Sequence, residues 1–163
     1  MRQDADQPLL PRVVAGERGL LRVTHGAERK PERLRHADLT RRIILTFFDV
    51  YNELGPGFLE SVYRVALAQA LSADGVHTDR EVPIDVFFRH AVIGRFYADL
   101  VAGNRVIIEV KAVRCIAHEH QTQLLHYLRG TAMEIGLLLN FGPKPQFKRL
   151  IYSNERKHGM AQS

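Results

Sequence analysis

The stretch Asp99-Leu-Val-Ala-Gly-Asn-Arg-Val-Ile-Ile-Glu109-Val-Lys111 organises the rest of this 163-residue chain. Ala102-Gly103-Asn104 is a tight-turn sequence between two apolar runs, which predicts a β-hairpin. Asp99 lies near the end of the first strand, and Glu109 and Lys111 are two residues apart on the second. Because alternate strand residues share a face, Glu109 and Lys111 should project to the same side, with Asp99 beside them. Charged groups in so apolar a strand are costly to bury unless they are paired or bind a metal.

The two carboxylates predict a divalent metal site. Adjacent carboxylates repel each other, and a cation relieves that repulsion. Oxygen ligands favour Mg²⁺ or Mn²⁺ over Zn²⁺. Such a metal lowers the pKa of bound water and polarises a phosphoryl oxygen, while Lys111 would hold the water or stabilise charge on phosphate. The alternative is an ordinary ion pair between Glu109 and Lys111, which is the commoner explanation of an isolated acid-x-Lys motif. The apolar strand around Glu109 favours the metal site.

Composition places the chain among ordinary soluble domains. It is 45% hydrophobic and 25% charged, and its length suits one domain with a modest core. No apolar run has the length of a membrane span, and the first residues lack the apolar core of a secretory signal. The single Cys115 excludes an internal disulfide framework and a multi-cysteine zinc site. We therefore expect a cytoplasmic protein without a membrane partner.

The positive charge is concentrated at the start of the chain. The net charge is +5, with a surplus of three positive charges in residues 1–37 and of two in the remaining 126 residues. An acidic polymer would suit this balance as a partner. A basic tail on a nearly neutral domain fits it equally well, so charge alone does not predict nucleic-acid binding.

Hydrophobic periodicity divides the chain into three parts. Residues 1–37 show no sustained period and contain many Gly and Pro, which predicts a disordered or loosely attached basic tail. Residues 38–152 form the predicted domain, with Asp38 as the first helix's N-cap, and residues 153–163 a flexible C-terminal tail. The predicted helices cover 38–54, 58–73 and 118–130. A two-residue period begins at Val76 and predicts a first strand, with clear apolar alternation over 82–88, and the further predicted strands cover 93–101, 105–113, 135–141 and 147–152. This order predicts an α/β (mixed α+β) fold, in which helices flank a mixed β-sheet.

Several short motifs resemble one family. Gly57-Phe-Leu-Glu60-Ser-Val-Tyr63 is similar to the signature of the GxxExxY proteins, which belong to the PD-(D/E)XK nuclease superfamily. Further segments resemble that family in order and spacing: Leu54–Gly57, Ala98–Leu100, Ile108–Ala112, Gln123–Leu128 and Leu139–Gly142. The resemblance covers about residues 38–152 and has no counterpart in residues 1–37.

The resemblance implies a restriction-endonuclease-like core and a set of site residues. Glu60 falls at the acid of the first core helix, Asp99 at the strand acid, and Glu109 and Lys111 at the paired position. The implied metal ligands are Glu60, Asp99 and Glu109. Two more catalytic candidates match the Q-x-x-x-Y element of the RecB-like branch: Gln123 and Tyr127. Spacing agrees, because residues four apart share one face of a helix.

The function implied by the resemblance is a Mg²⁺- or Mn²⁺-dependent nuclease that hydrolyses phosphodiester bonds, with DNA as the expected nucleic-acid substrate. Glu60 also has a simpler explanation, since a carboxylate in a first helical turn is stabilised by the helix dipole. The alternative function is a catalytically silent module of the same fold that binds nucleic acid or protein. An enzyme acting on sugars or nucleotides ranks below both. The sequence permits a homo-oligomer but does not indicate one.

Overall fold

The computed structural model describes residues 13–15, 21–23 and 36–158, the first two ranges as backbone only. The chain divides into two units, residues 1–30 and 31–163. In the first unit, strand β1 (Val13–Ala15) pairs antiparallel with strand β2 (Leu21–Val23). Otherwise, the predicted tail up to residue 35 lies outside the described residues, so its predicted disorder stays a prediction.

In the second unit, the described residues 36–158 form four helices and a five-stranded sheet. The helices are α1 (Ala37–Leu54), α2 (Glu60–Ala73), α3 (His118–Arg129) and α4 (Asn154–His158). The strands are β3 (Thr78–Phe88), β4 (Ala91–Ala102), β5 (Val106–Lys111), β6 (Ile135–Asn140) and β7 (Gln146–Ile151). The sheet order is β3-β4-β5-β6-β7. Strands β5 and β6 are parallel, and the other neighbours are antiparallel. The predicted mixed α/β fold is confirmed.

Helix α1 begins slightly earlier than its sequence pattern predicted. Asp38 lies in its first turn rather than at its N-cap, which is His36 with a left-handed backbone, φ 52°. The predicted end is confirmed: Gly55 adopts φ 68° and donates its N–H to the carbonyl of Tyr51 at 2.8 Å. A residue without Cβ enters this left-handed conformation without steric cost.

Helices cover both faces of the sheet. Buried residues of α1 and α2 pack against one face of β5 and β6, and α3 packs against the other. The first core contains Phe47, Tyr63, Leu67, Ile108, Leu137 and Phe141, and the second contains Ile107, Leu124, Tyr127, Leu128 and Leu138. Strand β5 is therefore central and buried on both sides, as its continuous apolar run predicted.

Strands β3 and β4 form a long hairpin at one side of the sheet. Strand β3 is an edge strand, where Pro83 is tolerated because proline lacks the N–H that an interior position needs. Arg89 and His90 form its predicted turn, with φ values of 45° and 67°. Only residues 100–102 of β4 pair with β5, so most of the hairpin extends beyond the next strand.

The region after Ser153 contains a helix within the predicted flexible C-terminal tail. Helix α4 (Asn154–His158) is fixed by the Lys157 ammonium group, which donates to the carbonyls of Thr131 and Met133 at 2.7 Å each. These backbone acceptors follow α3 and are far away in the sequence, so local composition gave no sign of them. Residues 159–163 lie outside the described residues.

Candidate metal and nuclease site

The candidate site lies where strands β4 and β5 stop pairing through their backbones. Regular pairing joins residues 100–102 to residues 106–108. One step further, Asp99 donates its backbone N–H to Glu109 Oε1 at 3.2 Å. Asp99 Oδ2 in turn accepts from the backbone N–H of Val110 at 2.8 Å. Carboxylate oxygens thus replace backbone carbonyls as acceptors, and this brings the two acids together.

Glu109 and Lys111 project to the same side of β5, as alternation predicted. Lys111 Nζ lies 3.6 Å from Glu109 Oε2, and Glu109 is only 2% exposed. Burial and then the negative charge of Asp99 raise the pKa of Glu109 to about 7, although Lys111 opposes the shift. The nearby lysine therefore does not fully compensate the buried acid pair, which further positive charge would stabilise.

Arg64 is a site residue that the sequence analysis missed. Its Nη1 lies 3.0 Å from Asp99 Oδ1 and 3.8 Å from Glu81 Oε1. Arg64 follows Glu60 by four residues on α2, so the two share a face of that helix. This spacing was the available signal, but nothing in the sequence identified Asp99 as the partner, 35 residues away.

Glu60, the first residue of α2, lies beside the end of β5. Its Oε1 accepts from the backbone N–H of Ala112 at 3.2 Å, directly after Lys111. It does not complete a three-acid cluster: within residues 36–158, no group of three or more His, Cys, Asp or Glu is arranged to hold a metal ion. The structure thus assembles Asp99 with Glu109, and places Glu60 at the neighbouring backbone.

Gln123 and Tyr127 share a face of α3, as their spacing predicted. Gln123 Nε2 donates to the Tyr127 hydroxyl at 2.7 Å. Burial raises the pKa of Tyr127, the charges of Glu109 and Asp99 raise it further, and the bond from Gln123 opposes the change. Tyr127 is therefore close enough to the acid pair to respond to its charge.

The last residue of β6 and the two residues after it clamp the end of β5, which carries Lys111. The buried Asn140 side chain accepts from the Val113 N–H and donates to the Val113 carbonyl, both at 2.9 Å. Phe141 donates its N–H to the Lys111 carbonyl at 2.7 Å. At Gly142 a Cβ atom would lie 1.9 Å from the Val113 carbonyl oxygen, so no other residue fits. The sequence analysis noted this motif without assigning it a role.

Tyr63 fixes the turn that leads into α2. Its hydroxyl donates to the carbonyl of Gly55 at 2.6 Å and accepts from the N–H of Phe58 at 3.1 Å. Its buried ring stacks on Phe141 with centroids 4.4 Å apart. Tyr63 thus joins the start of α2, which carries Glu60, to the segment that clamps β5.

Fold and site together define the restriction-endonuclease-like class: a mixed sheet between helices, with an Asp and a Glu-x-Lys pair on adjacent central strands. A family model for the PD-(D/E)XK nuclease superfamily matches residues 37–150. The chain belongs to that superfamily. The finer assignments, to the GxxExxY proteins and to the RecB-like branch, stay predictions.

Other comparisons are less informative. No curated protein matches the chain significantly. A solved structure titled "Crystal structure of SSO0001" is similar, with a TM-score of 0.49 and 18% identity, over 81% of this chain and 68% of that one. That likeness is too distant to carry an argument. Among the described residues, no helix has the length and apolar character needed to cross a bilayer.

Proposed function

We propose that this protein is a Mg²⁺- or Mn²⁺-dependent nuclease that hydrolyses phosphodiester bonds of DNA. The observation that carries the proposal is the cluster of the buried Glu109 with the partly buried Asp99 and Lys111 at the open end of the β4–β5 ladder. Superfamily membership supports hydrolysis of nucleic acid as the reaction. The metal and the choice of DNA belong to the proposal.

The donor set suits a hard divalent cation. Asp99 and Glu109 offer carboxylate oxygens, which Mg²⁺ and Mn²⁺ prefer, and no thiol or imidazole of the described residues joins them. The raised pKa of Glu109 reflects a buried site with too little positive charge. A bound cation would relieve the repulsion between the acids and lower that pKa. Glu60 is the third proposed ligand.

Residues of the chain itself would orient the water and the nucleic acid and stabilise the developing charge. When bound, the metal supplies an acidified water and polarises the phosphoryl oxygen. The Lys111 ammonium group, held beside Glu109, orients the attacking water and stabilises negative charge on the phosphate. The Gln123–Tyr127 pair offers a hydroxyl group near the acids, where it would orient water or the nucleic-acid backbone.

Cleavage of single- and double-stranded DNA, with Mg²⁺, with Mn²⁺ and with EDTA, tests the proposal. We expect metal-dependent cleavage that is abolished by Asp99→Ala and by Lys111→Ala. Ser72→Ala, an exposed change at the far end of α2, is the control for handling and purity. Cleavage that survives both site substitutions would come from another site or a contaminant, and the assignment would fail.

A second function, a silent binding module, is favoured by two observations. Arg64 already pairs with Asp99 at 3.0 Å, and the described residues hold no closed three-acid cluster. Calorimetry separates the two functions. The nuclease requires Mn²⁺ or Mg²⁺ to bind at millimolar concentrations or below, with binding lost in Asp99→Ala. The module is the better explanation if neither metal binds, even with an oligonucleotide present.

A further inference from the structure

Two open grooves adjoin the proposed site. The Tyr97 groove, of about 390 Å³, is lined by Arg64, Glu81, Tyr97, Ala98 and Asp99. The Phe58 groove, of about 640 Å³, is lined by residues 56–58, 112–114 and 141–143. Both grooves are large enough to accept part of a nucleotide, and each contains one exposed aromatic ring and one arginine.

The two grooves lie beside the acid pair, on different strands of the sheet. The Tyr97 groove lies over β3 and β4, whereas the Phe58 groove lies at the ends of β5 and β6. Asp99 itself lines the Tyr97 groove, and Glu109 lies on β5, whose end borders the Phe58 groove.

The aromatic rings are presented to solvent. Tyr97 is 56% exposed and Phe58 is 49% exposed. Phe58 is nevertheless held in place, because its ring packs edge-on against Tyr63 with centroids 6.0 Å apart. Exposed, oriented rings stack on unpaired bases of any sequence, and such stacking adds to the affinity for a single strand.

The arginines provide the matching contacts for phosphate. Arg114 is exposed, and no carboxylate within residues 36–158 pairs with it. Arg64 forms part of the wall beside Asp99, and its guanidinium would reach phosphate if the metal took Asp99. Arginine binds phosphate oxygens through charge-assisted, often bidentate hydrogen bonds. Each groove therefore offers one contact for a base and one for a phosphate.

We propose that the Tyr97 and Phe58 grooves hold unpaired nucleotides on either side of the scissile phosphate, so that the substrate is a single strand. This inference rests on the proposed nuclease function. In a duplex, the bases are stacked on each other and unavailable to the two rings. A duplex is also bound mainly through many phosphate contacts, and residues 38–163 carry a surplus of only two positive charges. The local aromatic contacts therefore favour a single strand.

Fluorescence anisotropy measures the binding step without cleavage. The protein carries Lys111→Ala, and the probes are a fluorescein-labelled oligodeoxythymidylate, an abasic strand of equal length, and a matched duplex, each with Mn²⁺. We expect the oligodeoxythymidylate to bind most tightly. Adding Tyr97→Ala or Phe58→Ala should weaken its binding about tenfold each, with little effect on the abasic strand. Phe87→Ala, which removes a 64% exposed ring near the far end of the hairpin, should have no effect.

The arginine contact has its own test. Arg114→Gln should weaken all three probes and reduce the salt dependence of binding by about one phosphate contact. Arg105→Gln, in the turn at the other end of β5, is the matched control. Equal or tighter binding of the duplex, or unchanged binding of oligodeoxythymidylate by the Tyr97 and Phe58 variants, would overturn the inference.

These outcomes can be told apart from a failure of the nuclease assignment. If cleavage depends on Asp99 and Lys111 while the two aromatic variants bind normally, the nuclease stands and the grooves are not base sites. If the aromatic variants lose binding but no metal supports cleavage, the grooves bind a single strand in a module without turnover. Absence of binding to any probe refutes the groove assignment.

Discussion

The two ends of the β4–β5 hairpin contrast sharply. At the turn end, residues 100–102 and 106–108 pair through regular backbone hydrogen bonds, and their side chains are apolar and buried. At the other end, Asp99 and Glu109 face each other, and their carboxylates accept the hydrogen bonds that backbone carbonyls would accept in a continuing ladder. One end holds the sheet together, and the other holds the candidate chemistry.

This contrast explains how a central strand keeps charged groups. A carboxylate that accepts a backbone N–H recovers part of the solvation that it loses on burial. The acids are therefore both fixed in position and left short of positive charge, as the raised pKa of Glu109 reflects. Stability and the proposed catalysis should depend on different ends of one hairpin, and that separation is testable.

The largest effect should come from comparing one substitution at each end of the β4–β5 hairpin. Glu109→Gln should lower single-turnover cleavage about a thousandfold, since it removes a proposed metal ligand, and should preserve stability at pH 8. Ile108→Ala, at a fully buried position, should cost about 2–5 kcal/mol of unfolding free energy. Its cleavage rate per folded molecule should stay near that of the wild type. Denaturant unfolding and single-turnover kinetics on the same samples measure both quantities.

If either Glu109→Gln or Ile108→Ala lost both cleavage activity and stability, the separation of the two ends would be contradicted. Val101→Ala, at the turn end opposite Ile107, provides a second check, because it should again lower stability and leave the folded protein's cleavage unchanged. If Val101→Ala reduced cleavage as strongly as Glu109→Gln, the two ends would form one functional unit.

Substitutions in the clamp, by which residues 140–142 hold the end of β5, should have the next largest effect. Asn140→Ala leaves the N–H and carbonyl of Val113 without their buried partners, which should cost roughly 4 kcal/mol of unfolding free energy. It should also reduce kcat with little change in KM, because the end of β5 that carries Lys111 is no longer held. Chemical denaturation and steady-state kinetics check the two effects. Asn52→Ala, at an exposed position of α1, is the matched control.

Glycine variants test the same clamp by steric means. Gly142→Ala should destabilise the protein, because the added Cβ would lie 1.9 Å from the Val113 carbonyl oxygen. Gly94→Ala in β4 should be tolerated, since nothing lies within 4 Å of its added Cβ. Equal stability of the two variants would mean that the segment after β6 adjusts freely and does not clamp β5.

Much of this fold could be predicted because its signals are local. The turn at residues 102–104, the apolar run of β5 and the 3.6-residue period of α1 each specify their own element. A two-residue period was predicted from Val76, with clear apolar alternation only from Val82, and strand β3 begins at Thr78. Its first residues, Asp79 to Glu81, are polar and exposed at the sheet edge, so no burial pattern identifies them. Helix α4 was missed for a related reason, since distant backbone carbonyls hold it.

The candidate site was only partly predictable. Spacing placed Glu109 and Lys111 on one face, and the predicted hairpin placed Asp99 beside them. The family resemblance added Glu60, Gln123 and Tyr127. The partnerships of Arg64 with Asp99 and of Asn140 with Val113 span 35 and 27 residues. No local period encodes such pairs, because they depend on which strands become neighbours. The chain's predicted cytoplasmic location depends on still less local information and stays a prediction.

Burial of Glu109 predicts an unusual pH dependence in the metal-free protein. Its pKa rises from 4.5 to about 7 on folding, so the folded state binds the proton more tightly than the unfolded state. Unfolding free energy should therefore fall as pH rises from about 4.5 to 7, by roughly 3 kcal/mol at most. Urea unfolding in EDTA across this range measures the slope, which Glu109→Gln should remove.

Binding of Mn²⁺ should also depend on pH, because it requires the ionised form of the acid pair. A cation bound by the ionised acids competes with the proton, so the apparent affinity for Mn²⁺ should rise as pH increases toward 7 and then level off. Calorimetric titrations at several pH values check the trend. If the Mn²⁺ affinity of Glu109→Gln depended on pH as steeply as that of the wild type, the titrating group would be a residue other than Glu109.

The smallest predicted effect is a change in Mn²⁺ affinity when Arg64, at the open end of the hairpin, is replaced. Its guanidinium holds Asp99 at 3.0 Å and has Glu81 within 3.8 Å as a second partner. A cation that binds Asp99 must compete with this contact. Arg64→Gln should therefore tighten Mn²⁺ binding about fivefold, the equivalent of a partly buried ion pair of about 1 kcal/mol. Calorimetry at pH 8 measures the change, and Arg41→Gln on α1 is the control.

The direction of that change distinguishes two roles for Arg64. Tighter metal binding together with weaker oligonucleotide binding would mean that Arg64 occupies the cation's place until the metal arrives, and then contacts phosphate. Weaker metal binding would instead mean that Arg64 holds Asp99 in the orientation that the metal requires. In that case the open end of the hairpin would be organised by an arginine from α2 as well as by its own two carboxylates, and competition between Arg64 and the cation would be refuted.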